Sequence, residues 1–410
     1  VSFIKNILII SSEFTGHGHK SITDSLIERF SKYPDVKIHV VDGFSLGGNL
    51  LVRVGKMYGT ITRNAKELWK IIWEISIMKP SLINEFIGLA IEENFIKSIK
   101  HLKPDLILSV HPNFNGCIID IMEKYNIKIP FGTLLADLVS IYPLWADPRA
   151  DFIICPTEDS FNKCLEFGVD KEKLLKIGLP VRSRFCIDLE NTDTSSDYTF
   201  DRPLECLIMS GGEGSGNMSM IAKILLNNFN CNISIIAGRN KAMKVRIENS
   251  LKEKYGDKVN VYGFVTNIEQ LMLNSDIAFT RGSPNVMMEA VMCNTPLIIT
   301  GALPGQEEGN PEYFERNNLG VICYDTSELK STVAKLLENN AKQLNDLKRT
   351  QREFRDPMIA DKIVDFLNSF DISNKYIPQF LRKKRNLTNP QELLLHTKAS
   401  IRKARSKRRL

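Results

Sequence analysis

Short apolar runs rich in Ile, Val and Leu alternate along this chain with longer stretches whose apolar residues recur at helical spacing, and the whole alternation happens twice. Strands buried on both faces read as continuous apolar runs. Parallel neighbours also need a crossover of about a dozen residues or more, so the pattern predicts βα units and parallel sheets. In the first series strands are expected at 7–10, 36–41, 106–110, 131–135 and 152–155, with helices at 21–30, 115–125 and 159–167. After Gly178-Leu179-Pro180-Val181 and a polar stretch over 188–201, a second series begins. It places strands at 204–209, 233–237, 259–261, 277–280 and 297–300, and helices at 218–228, 241–255, 268–274, 286–292 and 327–338. The expected fold is α/β, with two Rossmann-like domains facing a cleft. Residues 1–182 form the N-terminal domain, 183–356 the C-terminal domain, 357–374 a crossing helix and 375–410 a basic tail.

With 43% hydrophobic and 25% charged residues among 410, the composition is that of a folded chain and excludes disorder, collagen and coiled coil as the main class. Its net charge of +6 is unevenly spread: from Leu381 to Leu410 there are eleven Lys or Arg and one acid, Glu392, so the rest is net acidic. The eight cysteines show no C-x-x-C pair and no His at zinc-like spacing, which predicts reduced core thiols and no structural metal. No uncharged apolar run reaches the ~18 residues of a spanning helix, and residues 3–11 read as a strand rather than a signal peptide. The chain is expected not to span a membrane, while it can still lie on one.

Ligands in open parallel sheets bind beyond the carboxyl ends of the strands, so the loops there carry the chemistry. The first is Thr15-Gly16-His17-Gly18-His19, a turn whose glycines admit a ligand and whose histidines suit a general base near neutral pH; the alternative is a tight turn with solvated histidines. The second, Ser210-Gly211-Gly212-Glu213-Gly214-Ser215-Gly216-Asn217, suits a loop wrapped around a diphosphate, or a plain surface turn. It is not a P-loop, because no Gly-Lys-Ser/Thr follows. In the third, 280–290, Pro284 near a helix start leaves the N–H groups of Asn285, Val286 and Met287 pointing above the strand, and Glu289, a turn further on, can accept two hydrogen bonds from vicinal hydroxyls. The fourth, Leu303-Pro304-Gly305-Gln306-Glu307-Glu308-Gly309-Asn310-Pro311, pairs an amide with a carboxylate in a way that suits several sugar hydroxyls.

Pro-Gly-Gln-Glu at 304–307 with Asn310, the Gly-Gly-x-Gly loop at 211–214 and Ala-Gly-Arg-Asn at 237–240 resemble the monogalactosyldiacylglycerol synthase and processive diacylglycerol glucosyltransferase family. So do Gly16-x-Gly18-His19, the run from Asp137 through Trp145, Asp151, Pro156-Thr157-Glu158 and the Gly178–Val181 exit, in consistent order from about residue 4 to 370. The resemblance implies a GT-B glycosyltransferase whose first domain binds diacylglycerol and whose second binds UDP-glucose or UDP-galactose. Glu289 would hold the ribose, Gln306 and Glu307 the hexose, Gly211, Gly212, Asn285 and Val286 the diphosphate, with Arg239 in its motif and Phe264 near the uracil. His19 or Asp137 would deprotonate the acceptor hydroxyl, giving inversion, or His19 would instead anchor an anionic lipid. No Asp-x-Asp stands at a strand end, so no metal and no other cofactor is expected. Tyr142 stands where the family commonly has His, and Arg281-Gly282-Ser283-Pro284-Asn285 replaces its Lys-x-Gly-Gly type of loop.

A lipid acceptor implies a peripheral location, on the cytoplasmic face of a membrane, and calls for a membrane-facing surface. Trp69, Ile72 and Trp73 share a helical face among Arg63, Lys66, Lys70 and Lys79, which fits an interfacial helix; the alternative buries both tryptophans in the core. The basic tail fits anionic lipids, and no nucleic acid is expected, although polybasic segments also bind phosphate backbones. Two other readings stay open: a transferase moving N-acetylglucosamine to an undecaprenyl-linked precursor, and a non-catalytic lipid-binding protein on the same scaffold.

Overall fold

The structure is a computed structural model that describes residues 4–13, 18–64, 73–74, 77–189, 197–209 and 217–378. Among these, twelve strands form two six-stranded sheets. The first takes β1 (Asn6–Ser11), β2 (Lys37–Asp42), β3 (Leu106–Ser109), β4 (Phe131–Leu134), β5 (Phe152–Cys155) and β6 (Leu174–Lys176) in the order β2-β1-β3-β4-β5-β6. The second takes β7 (Leu204–Met209), β8 (Cys231–Ile236), β9 (Val259–Tyr262), β10 (Ile277–Thr280), β11 (Leu297–Ile299) and β12 (Gly320–Ile322) in the order β12-β11-β10-β7-β8-β9. Every pairing within the sheets is parallel.

The apolar runs are where they are because helices cover both faces. Ile7, Leu8, Ile9 and Ile10 are all fully buried, as are Leu106, Ile107 and Leu108 beside them. A strand with water on one face would alternate instead. The edge strand β2 is covered less: none of its residues is buried, and Lys37 and Val40 are exposed.

The chain crosses back after the second sheet. Helix Ile359–Ser369 packs on helix Gly18–Phe30, where Asp361 pairs with Arg29 at 3.2 Å and with Lys32, and Tyr33 donates to Asp365 at 2.9 Å. Phe366 and Phe370 close the contact against Phe152. On the outgoing side Gly178, at φ +130°, sits against Ile359, where a side chain would collide. The backbone of Tyr376 then pairs with Lys128, and Lys375 pairs with Asp105. Residues 4 to 376 thus belong to one compact unit with the two sheets joined twice.

Candidate active site

The two sheets turn loops at the carboxyl ends of their strands toward each other, and three contacts across the gap mark out a strip. At one end stands Glu289, on helix Pro284–Met292, which Pro284 starts after β10. Its carboxylate is buried, and Oε1 accepts from Ser21 Oγ of the first helix at 3.2 Å and from Arg182 Nη2 of the crossing segment at 2.6 Å. Burial raises the pKa of this carboxyl, and the nearby Arg182 guanidinium opposes that rise. Arg182 and Arg184 both lie over the ring of Phe185, and Arg184 also donates to Thr266 O at 2.6 Å. A planar cation stacked this way is held in one orientation.

One helical turn nearer the helix start, about 6 Å away, Asn285 meets the first half again. Gly18 approaches so closely that a Cβ there would lie 2.6 Å from Asn285 Nδ2. Asn285 is buried and Val286 half-buried at the amino end of the helix, while the N–H of Met287 is already bonded to Ser283 O at 3.0 Å. The helix has no side-chain cap, so its first turn keeps the partial positive charge that favours an anion.

At the far end, the 303–310 loop lies on the first half. Glu307 is buried, accepts from Leu303 N at 2.9 Å through Oε2 and faces Arg281 Nη2 at 3.4 Å through Oε1; Gln306 beside it is half-buried. Gly309 N donates to Ser140 Oγ at 3.2 Å, and Asn310 Nδ2 donates to Gly282 O at 3.0 Å. Asp137, just beyond β4, is buried there. Its Oδ1 has no hydrogen-bond partner among the described residues. Burial first, and then the charge of Glu307, push its pKa up to about 8.

His19 occupies a different position. Its Nδ1 lies 2.6 Å from Val110 O, and since a carbonyl only accepts, Nδ1 carries the proton and Nε2 is the acceptor nitrogen of the neutral ring. Burial lowers its pKa to about 4. His111, 4.5 Å away between ring centroids, is also held neutral by burial, and Trp145 stands on the other side at 6.1 Å. His19 lies in the helix that follows β1 and Asp137 just past β4, with β3 between those strands. A base role near neutral pH fits the higher pKa of Asp137 better than that of His19.

Of the remaining expected residues, Arg239 and Phe264 come together at the carboxyl ends of β8 and β9, with the guanidinium 4.5 Å from the ring centroid on an exposed platform. Gly211, Gly212 and Trp69 lie outside the described residues. Trp73, expected on a membrane-facing surface, is instead buried. Its indole packs on Gly305 and its ring lies 4.3 Å from Tyr142, because Gly305, at φ +77°, has no side chain to keep it away. Three residues escape sequence reading: Ser21 and Arg182 in the strip, and His111 beside His19. His111 alone carries a local signal, a polar residue at a strand's carboxyl end before Pro112. Among the described residues no group of three or more His, Cys, Asp or Glu could hold a metal ion, and no helix is long and apolar enough to cross a membrane.

Residues 19–181 match the family model of monogalactosyldiacylglycerol (MGDG) synthase, and residues 219–354 that of glycosyl transferases group 1. The resemblance to the MGDG synthase family is borne out. Monogalactosyldiacylglycerol synthase 3, chloroplastic, of Arabidopsis thaliana is 27% identical over 402 residues, covering 92% of this chain and 84% of that protein. A probable monogalactosyldiacylglycerol synthase 2, chloroplastic, of Oryza sativa subsp. japonica is 27% identical over 374 residues, covering 85% and 78%. Among solved structures, MurG of Acinetobacter baumannii superposes with a TM-score of 0.61 at 12% identity, over 89% of this chain and all of that one. The S. aureus MnaA–UDP structure gives 0.57 at 15% identity, over 89% and 96%. The fold is therefore GT-B, as expected, and the matches support a glycosyltransferase acting on lipid, similar to the MGDG synthases.

Proposed function

We propose that this chain moves a hexose from a UDP-sugar to diacylglycerol at a membrane surface, with inversion at the anomeric carbon. The observation that carries the reading is Asp137: a buried carboxyl of the first half, facing the Pro-Gly-Gln-Glu loop of the second, with its pKa raised to about 8. A base works best when its pKa lies near the working pH. Asp137 takes the proton of the acceptor hydroxyl, and the oxygen attacks the anomeric carbon. The bond from that carbon to the diphosphate breaks, and its electron pair leaves with UDP.

The second half supplies the donor site. Glu289 accepts from the ribose hydroxyls, and Gln306 and Glu307 hold the hexose. The first turn of helix Pro284–Met292, with Gly211 and Gly212, neutralises the departing diphosphate without a resident metal. Arg239 and Phe264 form a platform for the base. His19, neutral and with Nε2 as an acceptor, orients the acceptor rather than deprotonating it.

The names of the relatives favour galactose and diacylglycerol as the first pair to try. Mass analysis of lipid products from UDP-galactose, UDP-glucose and UDP-N-acetylglucosamine, with diacylglycerol vesicles, tests the reading. The expected product is a hexosyl diacylglycerol. UDP released without a lipid product, or transfer only of N-acetylglucosamine to a polyprenyl-linked acceptor, overturns it.

A further inference from the structure

A cavity of about 440 Å³ opens where the two halves meet beyond the 303–310 loop. Such a volume is within the range of small-molecule sites, roughly 300–1,000 Å³. One wall comes from Pro156 and Ile177, at the carboxyl ends of β5 and β6, and from the start of helix Glu158–Glu166; the other comes from helix Gly309–Arg316. Tyr313 of the latter helix lines the cavity and is only 8% exposed, yet its hydroxyl has no hydrogen-bond partner among the described residues. A phenol so buried usually finds one. Burial, and then the charge of Asp159, push its pKa up to about 12, so it remains a donor.

The cavity adjoins the strip on both sides. Thr157 Oγ1, in the first wall, donates to Leu138 O at 2.5 Å, and Leu138 follows Asp137 directly in the chain. In the second wall, helix Gly309–Arg316 starts two residues after Glu307, and Tyr313 lies one turn, ~6 Å, beyond the Gly309 that is held on Ser140.

The lining is polar but balanced in charge. Glu158 pairs with Lys176 at 2.6 Å, and Asp159 pairs with Arg316, whose guanidinium is 5.2 Å from the Tyr313 ring centroid. The two acids offset the two cations, and the start of helix Glu158–Glu166 is already capped by Thr157 and Ser160, so a bare anion gains little here. An acyl chain would have to lie against these charges. Asn317 donates Nδ2 to Tyr313 O at 2.7 Å, which turns its amide oxygen to use as an acceptor. A ligand with several neighbouring hydroxyls, each both donor and acceptor, matches this mixture, and its C–H face suits Pro156 and Ile177.

We propose that this cavity binds a hexose other than the one being transferred, with the Tyr313 hydroxyl and the Asn317 amide holding its hydroxyl groups. The hexose comes either as a free glycoside or on a lipid that already carries a sugar. The site itself stands on the cavity and its lining; only the lipid-borne source rests on the transfer reading above.

The test uses the full chain and saturation-transfer NMR with methyl β-galactoside and methyl β-glucoside, no UDP-sugar being present. Two variants remove hydrogen-bonding groups at nearly constant size: Tyr313→Phe and Asn317→Leu. Each should weaken glycoside binding by about fivefold, while the initial rate of hexose transfer from UDP-sugar to diacylglycerol stays at the parental value. Sedimentation with phosphatidylcholine vesicles that contain either diacylglycerol or galactosyl diacylglycerol distinguishes the sources. A preference for the glycosylated lipid that both variants lose identifies the lipid-borne sugar, and binding of the methyl glycosides without such a preference identifies the free one. No saturation transfer to either glycoside in the parent overturns the proposal, as does parental affinity in both variants. So does glycoside binding that Gln306→Ala abolishes and the two variants leave intact, because the sugar then occupies the donor's hexose site. Failure of the transfer reading looks different: no hexose reaches any lipid in the product analysis, while glycoside binding persists and still responds to Tyr313→Phe.

Discussion

Asp137 and Glu289 are both buried carboxyls, and their neighbours set them to different tasks. Asp137 faces another acid and has its pKa raised from 3.8 to about 8, so the folded state holds its proton over a range where the unfolded chain has lost it. Stability from this group is therefore greatest at low pH and declines by about 1.4 kcal/mol per pH unit between those two values. Asp137→Asn should remove that decline. Thermal melts from pH 5 to 8 should show a higher midpoint than the parent at neutral pH, while turnover falls by about 10²–10⁴. In the parent, kcat/KM should rise with pH and level off above about 8. Burial pushes the Glu289 pKa up as well, but there Arg182 and Ser21 donate to the carboxylate and hold the rise down. Removing Arg182 takes away the largest opposition to burial and leaves only Ser21 and Arg184, so the Glu289 pKa rises further and its charged form is lost sooner as pH falls. Arg182→Ala should weaken UDP binding by about tenfold, more at pH 6 than at pH 8, with Arg182→Lys partly restoring it. Calorimetric titration of UDP at both pH values checks this, and equal losses at the two would mark Arg182 as merely structural.

The 303–310 loop works as a unit because one backbone position allows it. Gly305 has φ +77°, and a Cβ would come within 2.3 Å of Trp73 Cδ1, so Gly305→Ala adds both a strained backbone and a clash with a buried indole. The loop would lift from the first half and take Gln306 and Glu307 with it. The expected outcome is a rise in KM for the UDP-sugar of about tenfold or more, read from initial rates, with the melting midpoint lowered by a few degrees. Trp73→Ala should move both quantities the same way. This loop shows what the sequence makes legible and what it hides. Pro-Gly-Gln-Glu stands out as polar residues after a buried strand, as do Glu289 after Pro284 and Asp137 after β4. That Trp73 would sit on Gly305 depends on residues far apart in the chain, and its aromatic pattern fits an interfacial face equally well. Most strands were readable because burial on both faces leaves unbroken apolar runs. β6 and β12, three residues each and at sheet edges, give no such run. Helix Pro80–Leu102 escaped for a different reason: apolar residues occupy its exposed stripe as well as its buried one, so no single-sided period appears. The 327–338 expectation ends where helix Leu329–Phe354 breaks, at Glu338 to Ala341, with three residues in left-handed conformation.

At the scale of the molecule, the net charge divides the chain into a mildly acidic body and a strongly basic segment, and the fold shows where the division can be cut. A boundary at 375 falls within ordered contacts: Ile372 is buried, Lys375 pairs with Asp105, and Tyr376 shares two backbone hydrogen bonds with Lys128. Asp105 also accepts from the N–H groups of Lys5 and Asn6 at 2.8 Å, so removing Lys375 would disturb the start of β1. Ending the chain after Pro378 keeps all of these contacts and removes the eleven cations of 381–410. Each basic residue near an anionic surface contributes about 1 kcal/mol at low salt, and this attraction falls off within a Debye length of about 10 Å at 0.1 M. The shortened chain should therefore bind phosphatidylglycerol vesicles at least about tenfold more weakly at 0.1 M NaCl. Near 0.5 M, where that attraction is screened, it should differ little from the parent. Its UDP affinity should be unchanged, because every residue of the Glu289–Glu307 strip is retained. Vesicle sedimentation across that salt range, with UDP titration of the same preparations, checks the division of labour. A deficit that persists undiminished at high salt would mean that the tail does not act through its charge.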